Sequence, residues 1–207
     1  MFTTKEVIWI LIAILIGGFV IGLSSSLRPS LTGLLWAAII ILVSVIAKKF
    51  VAPFYSLKIE HRSWGWRRWG WYERSQLKKP VPMGIIFPFF ISVLSLGIIK
   101  PLTLLQFDAE NLTQKRVLRK RGIYRYSEIN ESDLAFTAAW GFWALILLTI
   151  IASLLKQPEL AKYSVYYGLW NLIPFGQLDG TKIFFGSLIN WILLVIVYVI
   201  SLIIVLL

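Results

Sequence analysis

Long apolar runs decide what kind of fold this chain can adopt. A helix of about 20 apolar residues crosses the hydrocarbon core of a bilayer, and only helices and closed barrels satisfy all their backbone hydrogen bonds there. Five runs have about this length: Val7–Leu23, Leu31–Ala47, Leu134–Leu155, Leu160–Leu178 and Ile183–Leu207. The sequence therefore predicts an all-α polytopic membrane protein, with one integral membrane domain over residues 1–207.

A sixth apolar segment, Val81–Phe107, contains three prolines and two glycines, so it either crosses the membrane or dips in and returns. Lys and Arg collect in the cytoplasmic flanks of membrane spans. If the segment returns, 18 of the 21 basic residues lie on one side; if it crosses, the split is 12 to 9. The charge distribution therefore favours five spans plus a re-entrant segment (five to six membrane segments). We expect the protein in the cell membrane, with its N-terminus in the cytoplasm.

The composition restricts metal chemistry severely. The chain has no cysteine and a single histidine, His61. Disulfides and thiolate ligands are thus excluded, and a catalytic zinc normally takes three protein ligands that are mostly imidazoles. His61 lies beside Glu60 and several basic residues, so an interfacial side chain is expected there rather than a ligand.

The stretch Asn171–Gly180 places one carboxylate, Asp179, between two apolar segments. A charged group at membrane depth is costly and therefore marks a candidate functional site, usually with a partner. Pro174 and Gly180 interrupt helical geometry beside it, and irregular backbone at that depth is buried in protein or lines a cavity. Asn171, Pro174 and Gly180 are candidate groove residues, or they form only a helix kink.

The pattern Asn-x-x-Pro-x-x-x-Leu-Asp-Gly in this stretch resembles the third motif of the site-2 protease family, which are intramembrane zinc metalloproteases with the aspartate as a zinc ligand. Upstream, Ser44–Ala52 is similar to the end of the metal-binding helix of that family. Gly141 takes the place of the glycine in its second motif. The resemblance covers about residues 31–180 and implies a site-2-protease-like transmembrane core there.

The sequence differs from this family at the positions of the zinc ligands and of the catalytic base. Ser44 and Lys48 stand where the family has two histidines, and Val45 stands where it has the catalytic glutamate. An ammonium repels zinc and a valine cannot act as a base, so the resemblance implies a pseudoprotease with no catalytic residue and no zinc. Such a protein would bind a transmembrane partner, either another membrane protein or a client helix. Lys48 either neutralises Asp179 in place of the metal or extends to lipid phosphates at the end of its span.

The stretch His61–Tyr72 is nearly symmetric about Arg67 and Arg68, which predicts a small β-hairpin at the cytoplasmic interface with its turn at the two arginines. Its alternating tryptophans either form an aromatic belt against the lipid bilayer or meet a partner segment. Nucleic acid is not expected as a partner beside membrane spans. The interface residues of this prediction are Trp64, Trp66, Arg67, Arg68, Trp69 and Trp71.

Two other functions remain open. An active intramembrane zinc endopeptidase with unusual ligands would need His61 to reach Asp179. A small membrane transporter would need more deep acids than Asp179 to pass an ion along.

Overall fold

The structure, a computed structural model, describes residues 2–23, 31–68, 76–112 and 129–206. Seven α-helices and four strands are found in these ranges. The helices are α1 Thr4–Gly22, α2 Leu31–Val51, α3 Met83–Leu94, α4 Glu131–Leu154, α5 Pro158–Leu172, α6 Asp179–Gly186 and α7 Leu188–Leu206. The strands are β1 Leu57–Ser63, β2 Trp66–Arg68, β3 Gln76–Val81 and β4 Leu105–Asn111.

Four helices in the described ranges are long and apolar enough to cross a membrane. Polar residues cap the starts of two of them: the Thr3 hydroxyl accepts a hydrogen bond from the Glu6 amide at 3.3 Å, and the Asn130 side chain caps α4. Large apolar side chains remain exposed along α7, as expected of a helix surrounded by lipid. The four helices are Thr4–Gly22, Leu31–Tyr55, Glu131–Leu154 and Leu188–Leu206, where α2 continues through a 3₁₀ turn.

The expected span Leu160–Leu178 is not one helix. Helix α5 ends at Leu172 after 15 residues, which is about 22 Å and shorter than a bilayer core. Pro174 has no amide hydrogen to continue the helix, and Gly176 has φ +63°. The chain resumes as the short α6, and extended Ser187 separates α6 from α7. Four of the five expected spans therefore contain one helix long and apolar enough to cross a membrane, and the fifth is interrupted by the local backbone chemistry of Pro174 and Gly176.

The segment Val81–Phe107 enters as α3 and returns as extended chain. It turns at Leu96 and Gly97, which have φ values of +50° and +80°. Beyond the turn, the Lys100 ammonium donates hydrogen bonds to the Ile21 carbonyl at 3.0 Å and to the Tyr163 hydroxyl at 2.8 Å. Both ends of the segment join strands at the opposite end of α1, so the chain folds back as the re-entrant alternative expects.

The strands form two antiparallel pairs, and neither is the predicted hairpin. β1 pairs with β4, with His61 opposite Phe107, and β2 pairs with β3, with Trp66 opposite Val81. Arg67 and Arg68 belong to β2, so the prediction of a turn there was wrong. β1 alternates buried and more exposed residues, and its buried face packs into the core; register follows such burial. Residues 69–75, with Trp69 and Trp71, and the side chains of Arg67 and Arg68 lie outside the described part.

Several buried charged groups of the fold lie at one end of the helices, although buried Lys100 lies at the other. The start of α1 meets the end of α2 and strand β1 through the Glu6 side chain. Gly186 at the end of α6 lies directly against the Glu131 carbonyl at the start of α4. Two strand pairs, the α5–α6 break and the starts of three long helices therefore surround one region.

Candidate functional site

A buried ion pair forms between the two residues that the motif comparison brings together. The Lys48 Nζ lies 2.6 Å from Asp179 Oδ2, and the two side chains are only 3% and 4% exposed. Lys48 projects from the last turn of α2, and Asp179 is the first residue of α6. Of the two alternatives for Lys48, the structure has the ion pair, and the ammonium does not reach out to lipid.

Asp179 is held in its ionised form. Burial alone would raise the pKa of its carboxyl, but the positive charges of Lys48 and Lys182 and the hydrogen bond from Lys48 outweigh that effect. The net result is a pKa below the ordinary value for an aspartate. The site therefore contains a buried carboxylate that is neutralised by ammonium groups.

Glu6 supplies a second buried carboxylate that the sequence analysis missed. It is 1% exposed, although it lies in the first turn of α1. Its Oε1 accepts hydrogen bonds from the backbone N–H of His61 at 3.0 Å and from His61 Nδ1 at 2.9 Å. Its Oε2 accepts a hydrogen bond from the Lys49 ammonium. The one available signal was an acid inside an apolar helix near two buried lysines.

His61 is a core residue, so the expectation of an interfacial side chain was wrong. Its ring has no exposed surface, because the pleat of β1 turns it inward, away from its half-buried neighbour Glu60. Burial and the charge of Lys48 together lower the pKa of His61 to about 4, although the hydrogen bond to Glu6 acts in the opposite direction. The imidazole is therefore neutral near pH 7. Its Nδ1–H donates to Glu6, and its Nε2 has no partner within the described residues.

Lys182 completes the charge cluster, by which we mean Glu6, Lys48, Lys49, His61, Asp179 and Lys182. The Lys182 ammonium lies 3.3 Å from the centroid of the Phe107 ring and donates a hydrogen bond to the Phe107 carbonyl. Lys48 Nζ is 5.8 Å from the centroid of the same ring. Burial lowers the pKa of Lys182 to about 8. Three ammonium groups and two carboxylates give the cluster a net positive charge when Lys182 is protonated.

The remaining positions of the motif comparison also lie at this cluster. Ser44 and Val45 are buried on α2, one turn before Lys48. Gly141 of α4 lies against the Lys48 stem, since a Cβ there would be 2.9–3.0 Å from its side-chain carbons. Three segments that are far apart in sequence therefore meet around the Lys48–Asp179 pair.

The candidate groove residues are largely occupied by the protein itself. Asn171 is 2% exposed, and its side-chain amide donates to the carbonyls of Leu102 at 3.0 Å and Tyr167 at 2.7 Å. Gly180 has no room for a side chain, because a Cβ would lie 2.2 Å from the Leu172 carbonyl oxygen. Pro174 lies in the exposed stretch at 173–177. Of the three candidate groove residues, Pro174 is thus the one that is accessible to a partner.

The two described tryptophans of the interface prediction pack around that stretch. Trp64 is 3% exposed, in contrast to the expected aromatic belt, and its ring meets Trp66, Phe87 and Phe175. Phe175 stacks on Trp66 with a centroid distance of 4.9 Å and keeps 49% of its surface exposed. The aromatic side chains thus support the loop at the α5–α6 break.

The residues of the cluster do not fit the zinc ion of the site-2 protease family. The Asp179 carboxylate is bound to an ammonium, and His61 Nδ1 is bound to Glu6. In the described ranges, no group of three or more His, Asp or Glu side chains is arranged to hold a metal. Comparison of this chain with models of protein families, with curated proteins and with solved structures found no match.

Proposed function

We propose that this protein is a non-proteolytic relative of the site-2 proteases that binds a transmembrane partner, either another membrane protein or a client helix. The Lys48–Asp179 pair carries the proposal. Both residues are buried, they correspond by the motif comparison to metal-centre positions of the family, and Gly141 packs on the Lys48 stem. The ammonium takes over the task of neutralising the carboxylate, since a buried charge persists only when it is paired.

The absence of proteolysis follows from the chemistry of the positions. Hydrolysis by this family needs a metal-bound water and a carboxylate base. Val45 stands at the position of the base and has no group that can take a proton. The Lys48 ammonium at 2.6 Å competes with any cation for Asp179.

Partner binding is supported by the exposed apolar residues at the helix break. Ile173 and Phe175 are 44% and 49% exposed on either side of Pro174. The rigid aromatic support under Phe175 holds its ring in place, and an exposed, pre-organised aromatic side chain is a common anchor in interfaces. A partner helix would therefore meet the protein at this loop.

The test is site-specific photocrosslinking in native membranes. A photoreactive residue replaces Phe175, and a matched control replaces Ile196, a lipid-facing residue of α7 that is 53% exposed. We expect one protein adduct of defined mass from position 175 and only lipid adducts from position 196. Equal labelling at both positions would contradict the proposal.

Metal analysis tests the pseudoprotease part of the proposal. We expect no stoichiometric zinc in the purified protein or in its Asp179→Ala variant. About one zinc per chain, lost in the variant, would show instead an active metalloprotease site with unusual ligands.

Glu6 specifically favours transport as a second candidate function. It adds a buried acid beside His61, so Asp179 is not the only titratable carboxylate at this depth. Purified protein in liposomes with a pH gradient would then pass ions, and Glu6→Gln would abolish the flux. A flux equal to that of empty liposomes would exclude this function.

A further inference from the structure

A cleft of about 310 Å³ opens next to the charge cluster, and its walls carry balanced charges. Two cations, Arg62 and Lys182, and two acids, Asp108 and Glu131, line it. Apolar side chains form the rest of its wall, among them Leu134 and Phe185. A ligand with one positive and one negative group would match these walls better than a simple anion.

Lys182 is the cation best placed to receive the negative group. It makes no ion pair with any carboxylate of the described chain, and its contacts are a carbonyl oxygen and an aromatic face. The neighbouring Thr181 hydroxyl is shielded from solvent and has no hydrogen-bond partner in the part of the chain that is described. Both residues line the cleft, and an ammonium and a hydroxyl can both donate to one phosphate group.

The opposite wall combines a guanidinium with acids. Arg62 Nε lies 2.8 Å from Asp108 Oδ2, and its Nη2 donates to Gln177 at 3.2 Å. A guanidinium has five N–H donors, so this geometry leaves others for a ligand. Glu131 is exposed at the start of α4. Its carboxylate can accept hydrogen bonds from the N–H donors of a positively charged group.

The cleft lies at the start of a helix that is long and apolar enough to cross a bilayer. Glu131 is the first residue of α4, a helix long enough to cross a bilayer, and Leu134 follows within the first turn. Phe185 on α6 is 70% exposed beside the cleft. Charged walls at the end of a span, continuous with apolar surface, are suited to a molecule with a polar head and an apolar tail.

We propose that this cleft binds the phosphoethanolamine head group of a membrane phospholipid. The phosphodiester lies against Lys182 and Thr181, and the ammonium lies against Glu131 and Asp108. Acyl chains continue along Leu134 and Phe185. The cleft shares Gly176 and Gln177 with the partner-binding loop of the proposed function, but binding of the lipid does not require a protein partner.

The test compares lipids by native mass spectrometry of the full chain released from nanodiscs with equal amounts of phosphatidylethanolamine, phosphatidylcholine and phosphatidylglycerol. We expect phosphatidylethanolamine to be retained about tenfold over both others, because it alone offers the phosphate and a hydrogen-bonding ammonium. Lys182→Gln should abolish this preference. The matched control is Lys58→Gln, an exposed cation of β1 outside the cleft, and it should leave the preference unchanged.

A second variant separates loss of binding from loss of folding. Glu131→Gln changes an exposed side chain, so the protein should fold, and we expect retention of phosphatidylethanolamine to fall to the level of phosphatidylcholine. Equal retention of the three lipids by the unaltered protein would overturn the proposal. Displacement of the lipid by millimolar inorganic phosphate would also overturn it and assign the site to free phosphate. Crosslinking from position 175 provides the independent readout of the proposed function.

Discussion

At the residue scale, the Lys48–Asp179 pair should dominate the stability of the buried centre. Lys48→Met removes the ammonium and leaves the Asp179 carboxylate buried without its closest partner. Breaking a buried pair from one side costs about 3–5 kcal/mol, since the remaining charge is not compensated. We expect a loss of this size in the free energy of unfolding, measured by denaturant titration in detergent.

A double variant separates the pair from its surroundings. Lys48→Met with Asp179→Leu removes both charges and should recover most of the lost stability. The matched control is Lys58→Met, whose exposed partner Glu110 lies at 3.5 Å and whose loss should cost less than about 1 kcal/mol. If the double variant were as unstable as the single one, the two groups would not be coupled.

His61 should make stability depend on pH in a defined window. Its pKa is lowered from 6.5 to about 4 in the folded protein, so the unfolded chain binds the additional proton between these values. Stability is then fully present above about pH 6.5, falls as the pH decreases towards 4, and is lowered by about 3 kcal/mol at the bottom of the window. Asp179 remains ionised there, because its pKa lies below the ordinary value.

The measurement is the unfolding free energy at several pH values between 4 and 7, for the unaltered protein and for His61→Gln. The variant should have a flatter profile, since it has no proton to gain at this position. An identical slope in both proteins would assign the pH dependence to other groups.

The residue-scale predictions from sequence succeeded where a motif specified the individual residues of the site. Asp179 and Lys48 were found because a spacing pattern and a register put them at one centre. Glu6 and His61 were missed because an acid in a first helical turn and a histidine in a polar stretch are ordinary on a surface. Only the approach of β1 to the start of α1 buries them, and that contact leaves no local signal in either segment.

At the element scale, apolar length predicted four of the helices. It failed for the segment at 160–178, and sequence symmetry failed for the tryptophan stretch. The run at 160–178 is apolar enough for a span, but Pro174 and Gly176 stop the helix inside it. The symmetric tryptophan stretch suggested a hairpin, yet β1 pairs with the distant β4 and turns one face into the core. Long-range pairing overrode a local pattern in that case.

The contact between α5 and α7 depends on the lack of a side chain at Gly168. A Cβ built there would lie 2.0 Å from the Tyr198 ring, and Tyr198 is itself fixed by a hydrogen bond from its hydroxyl to the Phe142 carbonyl at 2.9 Å. Gly168→Ala gains about 1 kcal/mol of helix propensity but forces these helices apart, which costs about 1–3 kcal/mol. We expect a net loss of thermal stability in detergent.

The control for this contact is Gly33→Ala in α2, where a Cβ would meet no atom closer than 3.3 Å. It should be close to neutral. Combining Gly168→Ala with Tyr198→Val restores room and should recover part of the loss. A stable Gly168→Ala single variant would mean that α5 and α7 are not in close contact.

At the scale of the whole molecule, the proposed sites are concentrated at one end. The charge cluster, the lipid-head-group cleft and the partner-binding loop all lie where α1, α4 and α7 begin and α2 ends. The segment Val81–Phe107 supports this arrangement because it folds back and returns the chain to β4, which pairs with β1. The side of the membrane on which this end lies therefore determines the compartment from which the proposed sites can be reached.

The topology can be measured directly because the chain has no cysteine. Single variants Lys58→Cys, Glu110→Cys and Gln157→Cys are labelled with a membrane-impermeant maleimide in sealed right-side-out and inverted vesicles. Positions 58 and 110 flank the re-entrant segment, and their side chains lie 3.5 Å apart across β1 and β4.

We expect both positions to react only from the cytoplasmic side, where basic flanks collect. Position 157, between α4 and α5, should react only from the other side. Opposite labelling of positions 58 and 110 would mean that Val81–Phe107 crosses the membrane, and the pairing of β1 with β4 would then be impossible.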